Sequence, residues 1–131
     1  MVTIETQSMT LPASTSAPAR ARAWLGILGG YLTPERLADA KLMVTELVTN
    51  AVLHAGLQES APISLTARVE PGRVRVSVCD CGDGFQLGDT GTAPPGSAPT
   101  GRGLYIVNRL ADRVLVDGVT GRVVFELTWD D

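Results

Sequence analysis

The stretch Lys41-Leu-Met-Val-Thr-Glu-Leu-Val-Thr-Asn-Ala-Val-Leu-His54 decides the fold of this 131-residue chain. Each helical residue turns the chain by about 100°, so the apolar residues in and around this stretch gather into one core-facing sector. That sector consists of Leu37, Ala40, Val44, Leu47, Val48, Ala51 and Ala55. Thr33 followed by Pro34 is typical of a helix start, and Gly56 of a helix end. We therefore predict an amphipathic helix from Pro34 to about residue 55.

A second stripe of the same helix is polar. Glu46, Asn50 and His54 are spaced i, i+4 and i+8, so they lie on one side of the helix. Their apolar neighbours are Leu42, Met43 and Leu53. A carboxylate near a phosphate can accept a proton from an attacking hydroxyl, and an amide oxygen is a suitable Mg²⁺ ligand. The stripe is thus typical of a pocket wall, but periodicity alone fits a solvated face with a packed or capping histidine equally well.

Two pairs of alternating segments outside this helix predict strands. Residues 63–69 and 74–78 flank the turn sequence Glu70-Pro71-Gly72 and predict a hairpin, and residues 114–116 and 123–129 predict a second pair. Further helices are predicted over residues 19–28 and 104–111, and a short edge strand within residues 1–12. This order predicts a single domain over residues 1–131. Its fold class is α/β (α+β), a two-layer sandwich with helices on one face of a mostly antiparallel sheet.

The amino-acid composition limits which classes of partner, and which cellular compartment, we expect for this chain. The chain has 11 basic and 14 acidic residues and a net charge of −3, which argues against nucleic acid or an anionic membrane as the main partner. No run of 18 apolar residues and no signal peptide is visible, and two cysteines do not frame a disulfide-rich fold. We expect a cytoplasmic protein without direct nucleic-acid or membrane contact.

Two glycine motifs stand at the ends of a long loop. Asp80 follows a predicted strand and precedes Gly82 and Gly84, so a carboxylate lies beside bare backbone against which a flat ligand can rest. A purine exocyclic amine is a suitable donor to such a carboxylate, although a plain Asp-Gly turn is the alternative.

The second motif, Thr100-Gly101-Arg102-Gly103-Leu104, opens the third predicted helix, where free backbone amides and the helix dipole favour an anion. It does not match the dinucleotide fingerprint, because Ile106 stands where the third glycine is required. The sequence also contains no G-x-x-x-x-G-K-[ST] phosphate loop, which excludes a P-loop enzyme.

Together and in this order, the three segments resemble the motifs of the Bergerat-fold (GHKL) ATPases. Residues 46–50 resemble the N box, residues 80–85 the G1 box and residues 101–104 the G2 box, and the resemblance covers about residues 35–127. Within that superfamily the chain is most similar to the small bacterial anti-sigma factor serine/threonine kinases.

The resemblance implies a role for each matching position. Glu46 would be the general base, Asn50 the Mg²⁺ ligand and Asp80 the acceptor for the adenine amine of ATP. Residues 86–100 would be the ATP lid. The implied nucleotide-binding set is Asn50, His54, Asp80, Gly82, Gly84, Thr100, Gly101, Arg102, Gly103 and Leu104, in which Gly82 and Gly84 make room for the base and Gly101 and Gly103 donate to phosphates.

The resemblance also implies partners. They are a sigma factor and an anti-anti-sigma antagonist of the STAS type, whose serine receives the phosphoryl group, and a homodimer is a further expectation. The lid sequence carries only Asp89 as a charged residue, and Arg102 is the nearest candidate to clamp the γ-phosphate. A non-catalytic ATP/ADP-gated regulatory binding module therefore stays open as an alternative, as does a structural adaptor whose glycine motifs are turns.

Overall fold

A computed structural model describes residues 5–55, 62–80, 99–117 and 121–129 of the chain. Predictions for Gly82, Gly84 and lid residues 86–98 lie outside these ranges. The described helices and strands follow in the order β1 (Glu5–Pro12), α1 (Ala17–Trp24), a 3₁₀ helix (Leu25–Gly30), α2 (Pro34–Ala55), β2 (Pro62–Glu70), β3 (Arg73–Cys79), α3 (Pro99–Leu110), β4 (Arg113–Asp117) and β5 (Arg122–Thr128).

The five strands form one sheet in the order β1-β2-β3-β5-β4, and every neighbouring pair among them is antiparallel. The predicted hairpin is confirmed: β2 and β3 pair with Val69 opposite Val74. Gly72 in its turn has φ +74°, a conformation that favours glycine, and its carbonyl accepts a hydrogen bond from the Trp129 amide at 2.9 Å.

The hydrophobic core lies between one face of the sheet and the helices. Alternate strand residues are buried there together with the apolar sector of α2, which confirms the predicted two-layer α/β fold. The strand residues of this core include Leu11, Ile63, Leu65, Ala67, Val74, Val76, Val78, Val123, Phe125 and Leu127. Met43, expected beside the polar stripe, is instead fully buried, because the core covers a wider sector of α2 than the periodicity indicated.

Several predicted boundaries are wrong. The first helix begins at Ala17 and tightens after Trp24 into a 3₁₀ helix, whereas one helix over residues 19–28 is expected. The third helix begins at Pro99 rather than at Leu104, since proline suits the first helical position and the helix tolerates the two glycines that follow. The edge strand predicted within residues 1–12 is confirmed, and its described residues are Glu5–Pro12.

The start of α2 is fixed by two sets of hydrogen bonds. The Thr33 hydroxyl oxygen accepts from the Arg36 amide at 3.2 Å, so Thr33 is the N-cap of α2 and the predicted helix start is confirmed. The Arg36 guanidinium donates to a carboxylate oxygen of Asp112 at 2.6 Å and to the Thr128 carbonyl at 2.8 Å. The same Asp112 oxygen accepts from the Thr128 amide at 2.7 Å. The first turn of α2 is therefore tied to the α3–β4 junction and to the end of β5.

The hydrogen bonds to Asp112 also lower the pKa of its carboxyl group. Burial opposes ionisation of Asp112, but the hydrogen bonds from the Thr128 amide and the Arg36 guanidinium outweigh it and hold the pKa of Asp112 below its ordinary value.

Among the described residues, no helix combines the length and apolar character needed to cross a bilayer.

Candidate functional site

The polar stripe of α2 runs from the surface into the interior. Each step of four residues advances about 40° around the helix, and Glu46 is half-buried whereas Asn50 is only 1% exposed. A fully buried amide does not fit the solvated-face alternative. His54 belongs to the last turn of α2, and its side chain lies outside the described residues.

Two leucines beside this stripe are exposed. Leu42 and Leu53 are 44% and 50% exposed, so they lie on the outer side of α2 rather than inside a pocket. Between them the hydroxyls of Thr45 and Thr49 donate to carbonyls one turn earlier in the helix, those of Lys41 and Thr45, at 2.6 and 2.7 Å. These hydroxyls are therefore engaged by the helix backbone.

Asp80 lies at the end of a central strand. It directly follows β3, is 7% exposed, and its amide donates to the Gly121 carbonyl at 3.1 Å. This bond extends the pairing of β3 and β5 by one residue and fixes the backbone that carries the carboxylate. A plain Asp-Gly turn places its aspartate at the surface, so the burial of Asp80 favours a binding role.

The second glycine motif lies within the first turns of α3. The first four amides of a helix have no acceptor inside it. These four amides are counted from the residue before the helix, which lies outside the described ranges. Because Pro99 has no amide hydrogen, those that remain are the amides of Thr100 and Gly101. Gly103 is the fifth helical residue, whose amide has an acceptor within the helix. Leu104 is buried in the core.

Helix α2 is the common neighbour of the two elements that carry the glycine motifs. Helix α2, which carries Glu46 and Asn50, packs against both α3 and β3. The start of α3 and the strand end at Asp80 therefore belong to elements that share α2 as a neighbour. Within the described ranges, no group of three or more His, Cys, Asp or Glu side chains is arranged to hold a metal ion.

Two residues that help to position this site were not singled out by the sequence. Arg36 and Asp112 anchor the helix that carries the polar stripe, although they are 76 residues apart in the chain. An arginine in the first turn of a helix and an aspartate after another helix are ordinary surface residues by pattern. Only the tertiary structure reveals that these two side chains are in contact.

Comparison with known proteins identifies similar sequences. Residues 11–129 match the family model described as histidine kinase-like ATPase domain. The serine-protein kinase RsbW of Bacillus subtilis is 33% identical over 105 residues, which cover 72% of this chain and 65% of that protein. The anti-sigma F factor of Clostridium acetobutylicum is 25% identical over 95 residues, covering 69% and 66% respectively.

A solved structure is similar as well. The crystal structure of the RsbU and RsbW domains of a Mycobacterium tuberculosis protein matches with a TM-score of 0.68 and 25% identity. The match covers 95% of this chain and 32% of that one. The chain also spans just under two thirds of the length of the curated relatives that it matches.

Proposed function

Because the chain belongs to the family of histidine kinase-like ATPase domains, we propose that it is a serine/threonine protein kinase of the anti-sigma-factor type. It would bind ATP and transfer the γ-phosphoryl group to a serine of a partner protein. The observation that carries this proposal is the pair of buried polar side chains, Asn50 and Asp80, on two packed elements. The names of the relatives, a serine-protein kinase and an anti-sigma F factor, support the type of activity.

Each site residue has a role that its position supports. Glu46 is half-buried on the same side of α2 as Asn50, so a hydroxyl can approach it from solvent. Buried Asp80 would accept a hydrogen bond from the adenine amine, and the amide of Gly101 would donate to a phosphate. Asn50 would ligate Mg²⁺ together with phosphate oxygens and water, and the ion would offset the negative charge of the phosphates.

The transfer step needs one base and correct alignment. The serine oxygen would attack the γ-phosphorus as the bond from that phosphorus to the bridging oxygen of ADP breaks, and Glu46 would take the serine proton. The acceptor would be an anti-anti-sigma antagonist of the STAS type, and the chain would sequester a sigma factor. We also propose that the chain acts in the cytoplasm and forms a homodimer.

The proposal is tested by phosphoryl transfer from labelled ATP, with Mg²⁺, to candidate STAS-type proteins. Glu46→Gln removes the base but keeps the size of the side chain, so transfer should fall by about 100-fold or more, the usual contribution of a general base. ATP affinity should stay within about twofold, because the base acts on the acceptor. Glu35→Gln, at an exposed glutamate in the first turn of α2, is the matched control. Equal transfer by Glu46→Gln and wild type would contradict the base role.

A second candidate function is the non-catalytic ATP/ADP-gated binding module. It is favoured by the lid sequence, in which Asp89 is the only charged residue over positions 86–100. This module would bind ATP without phosphoryl transfer to any acceptor, and its partner affinity would differ between the ATP- and ADP-bound states. The structural adaptor is the weakest of the three, since it gives no reason to bury both Asn50 and Asp80.

A further inference from the structure

The sheet face turned away from the helices is basic. Its residues alternate with the core residues of the strands, and five of the chain's eleven basic side chains lie there against three of its fourteen acidic ones. The basic residues are Arg68, Arg73, Arg75, Arg113 and Arg122, and the acidic residues are Glu70, Asp117 and Glu126. This face therefore carries a formal charge of +2, whereas the remainder of the chain carries −5.

Two arginines on this face are direct cross-strand neighbours. Arg68 of β2 lies opposite Arg75 of β3, and like charges in that position destabilise a sheet. On its other side Arg75 lies opposite Glu126, with its Nε 3.0 Å from a carboxylate oxygen of that nearly buried glutamate. Glu70 lies 3.6 Å from the Nε of Arg68 but 2.7 Å from a guanidinium nitrogen of Arg73. The arginine pair thus has more positive charge than its carboxylate neighbours balance.

Short side chains leave a cavity beside this pair. Thr66, Ser77 and Val124 form the next row across the sheet, and Arg122 stands in the row beyond. Successive rows on one face are about 6.6 Å apart along a strand. The long arginine side chains of the two outer rows can therefore extend over the short side chains of the middle row. The resulting cavity has a volume of about 180 Å³. One water needs about 10–15 Å³ by this measure, so a polyatomic anion fits.

We propose that this cavity binds a phosphate group, either free phosphate or a phosphate monoester. Arg68, Arg75 and Arg122 line it together with the hydroxyls of Thr66 and Ser77. Guanidinium groups pair with phosphate oxygens through parallel N–H donors, and the hydroxyls add further donors. A second copy of this face is a poor occupant because two surfaces of charge +2 repel each other. The cavity lies on the opposite face of the sheet from α2 and α3, so it is separate from the proposed ATP site.

Binding can be located by amide chemical shifts of the full-length chain during titration at constant ionic strength. The two probes are inorganic phosphate and O-phosphoserine, and the one that binds more tightly identifies the source of the phosphate group. We expect saturable shifts at residues 66–77 and 122–124. Arg122→Gln should weaken binding about tenfold or more, as the loss of a charge-assisted hydrogen bond does. Ser77→Ala should weaken it by a smaller factor.

Arg113→Gln is the matched control, because it removes one positive charge from the same face but outside the cavity. It should change the affinity by less than about twofold if the contact is local. Equal weakening by Arg113→Gln and Arg122→Gln would overturn the proposal in favour of diffuse charge attraction. Shifts that never saturate, or saturable shifts confined to α2 and α3, would also overturn it. None of these outcomes tests the kinase proposal, which concerns the other face of the sheet.

Discussion

Replacing Asp112 with asparagine tests how the chain holds the helix that carries Glu46 and Asn50. The substitution keeps the size of the side chain but removes its charge. In the wild type, the Asp112 carboxylate accepts hydrogen bonds from the Arg36 guanidinium at 2.6 Å and from the Thr128 amide at 2.7 Å, and the Thr128 hydroxyl lies 3.3 Å away. We expect a folded protein of lower stability, because the ion pair with Arg36 is lost and the hydrogen bond from the Thr128 amide loses its charged acceptor.

The magnitude follows from exposure. The Asp112 side chain is 39% exposed and that of Arg36 is 31% exposed, so water screens the ion pair and it contributes about 0.5–1 kcal/mol. The bond from the Thr128 amide to the charged carboxylate adds about 1 kcal/mol, below the range for buried charged bonds, since water can replace it. The free energy of unfolding should thus fall by about 1.5–2 kcal/mol, or about 6–8 °C in Tm for a chain of this size.

The loss should also depend on pH in a definite direction. The pKa of Asp112 is lowered in the folded state, so its stabilisation is fully present above the unfolded pKa of about 3.9 and is lost as the pH falls through the folded pKa. Denaturant unfolding of wild type and Asp112→Asn should therefore differ at pH 7 and converge as the pH falls below about 4. Asp39→Asn is the control, since this α2 aspartate makes no ion pair within the described ranges. A difference below 0.5 kcal/mol at pH 7, or one that grows on acidification, would refute the reasoning.

Two smaller changes test the local geometry of the fold. Thr33→Ala should lower the free energy of unfolding by about 1 kcal/mol, because it removes the N-cap acceptor of α2. Thr33→Ser keeps a hydroxyl acceptor and should not lower it. Equal denaturation midpoints for the two variants would contradict the capping role of Thr33. Gly72→Ala should cost about 1–2 kcal/mol, because Gly72 has φ +74° and an added Cβ would lie 3.1 Å from the Trp129 carbonyl oxygen. Gly26→Ala is the control, because its added Cβ would meet nothing within 4 Å apart from its chain neighbours and the backbone of its own helix. An equal loss of thermal stability in both variants would argue against backbone strain at Gly72.

Local patterns in the sequence were sufficient to predict the helix α2 and the central strands. Thr33 and Pro34 mark the helix start, and strict alternation marks strands with one buried face. The start of α3 was not predictable in the same way, because Gly101 and Gly103 lower helix propensity and the helix is stabilised by packing of Leu104 and Val107 in the core. Propensity acts locally, whereas that packing depends on α2.

The candidate site was predictable in part. The spacing of Glu46 and Asn50 placed both on one side of α2, but it did not reveal that Asn50 is buried while Leu42 is exposed. Burial depends on which neighbouring elements cover the helix, and one segment does not contain that information. The contact of Arg36 with Asp112 and the arginine-lined cavity join residues distant in sequence, so only the tertiary structure reveals them.

The most direct test of the nucleotide site is calorimetric titration of the chain with a non-hydrolysable ATP analogue and Mg²⁺. We predict saturable 1:1 binding by the wild type. Asp80→Asn should weaken it by about 10-fold or more, because a charged hydrogen-bond acceptor is lost. The folded state of the variant is checked by its thermal melt, and Asp39→Asn serves as the matched control. Absence of binding by the folded wild type, or equal affinities for wild type and Asp80→Asn, would contradict an adenine site at Asp80.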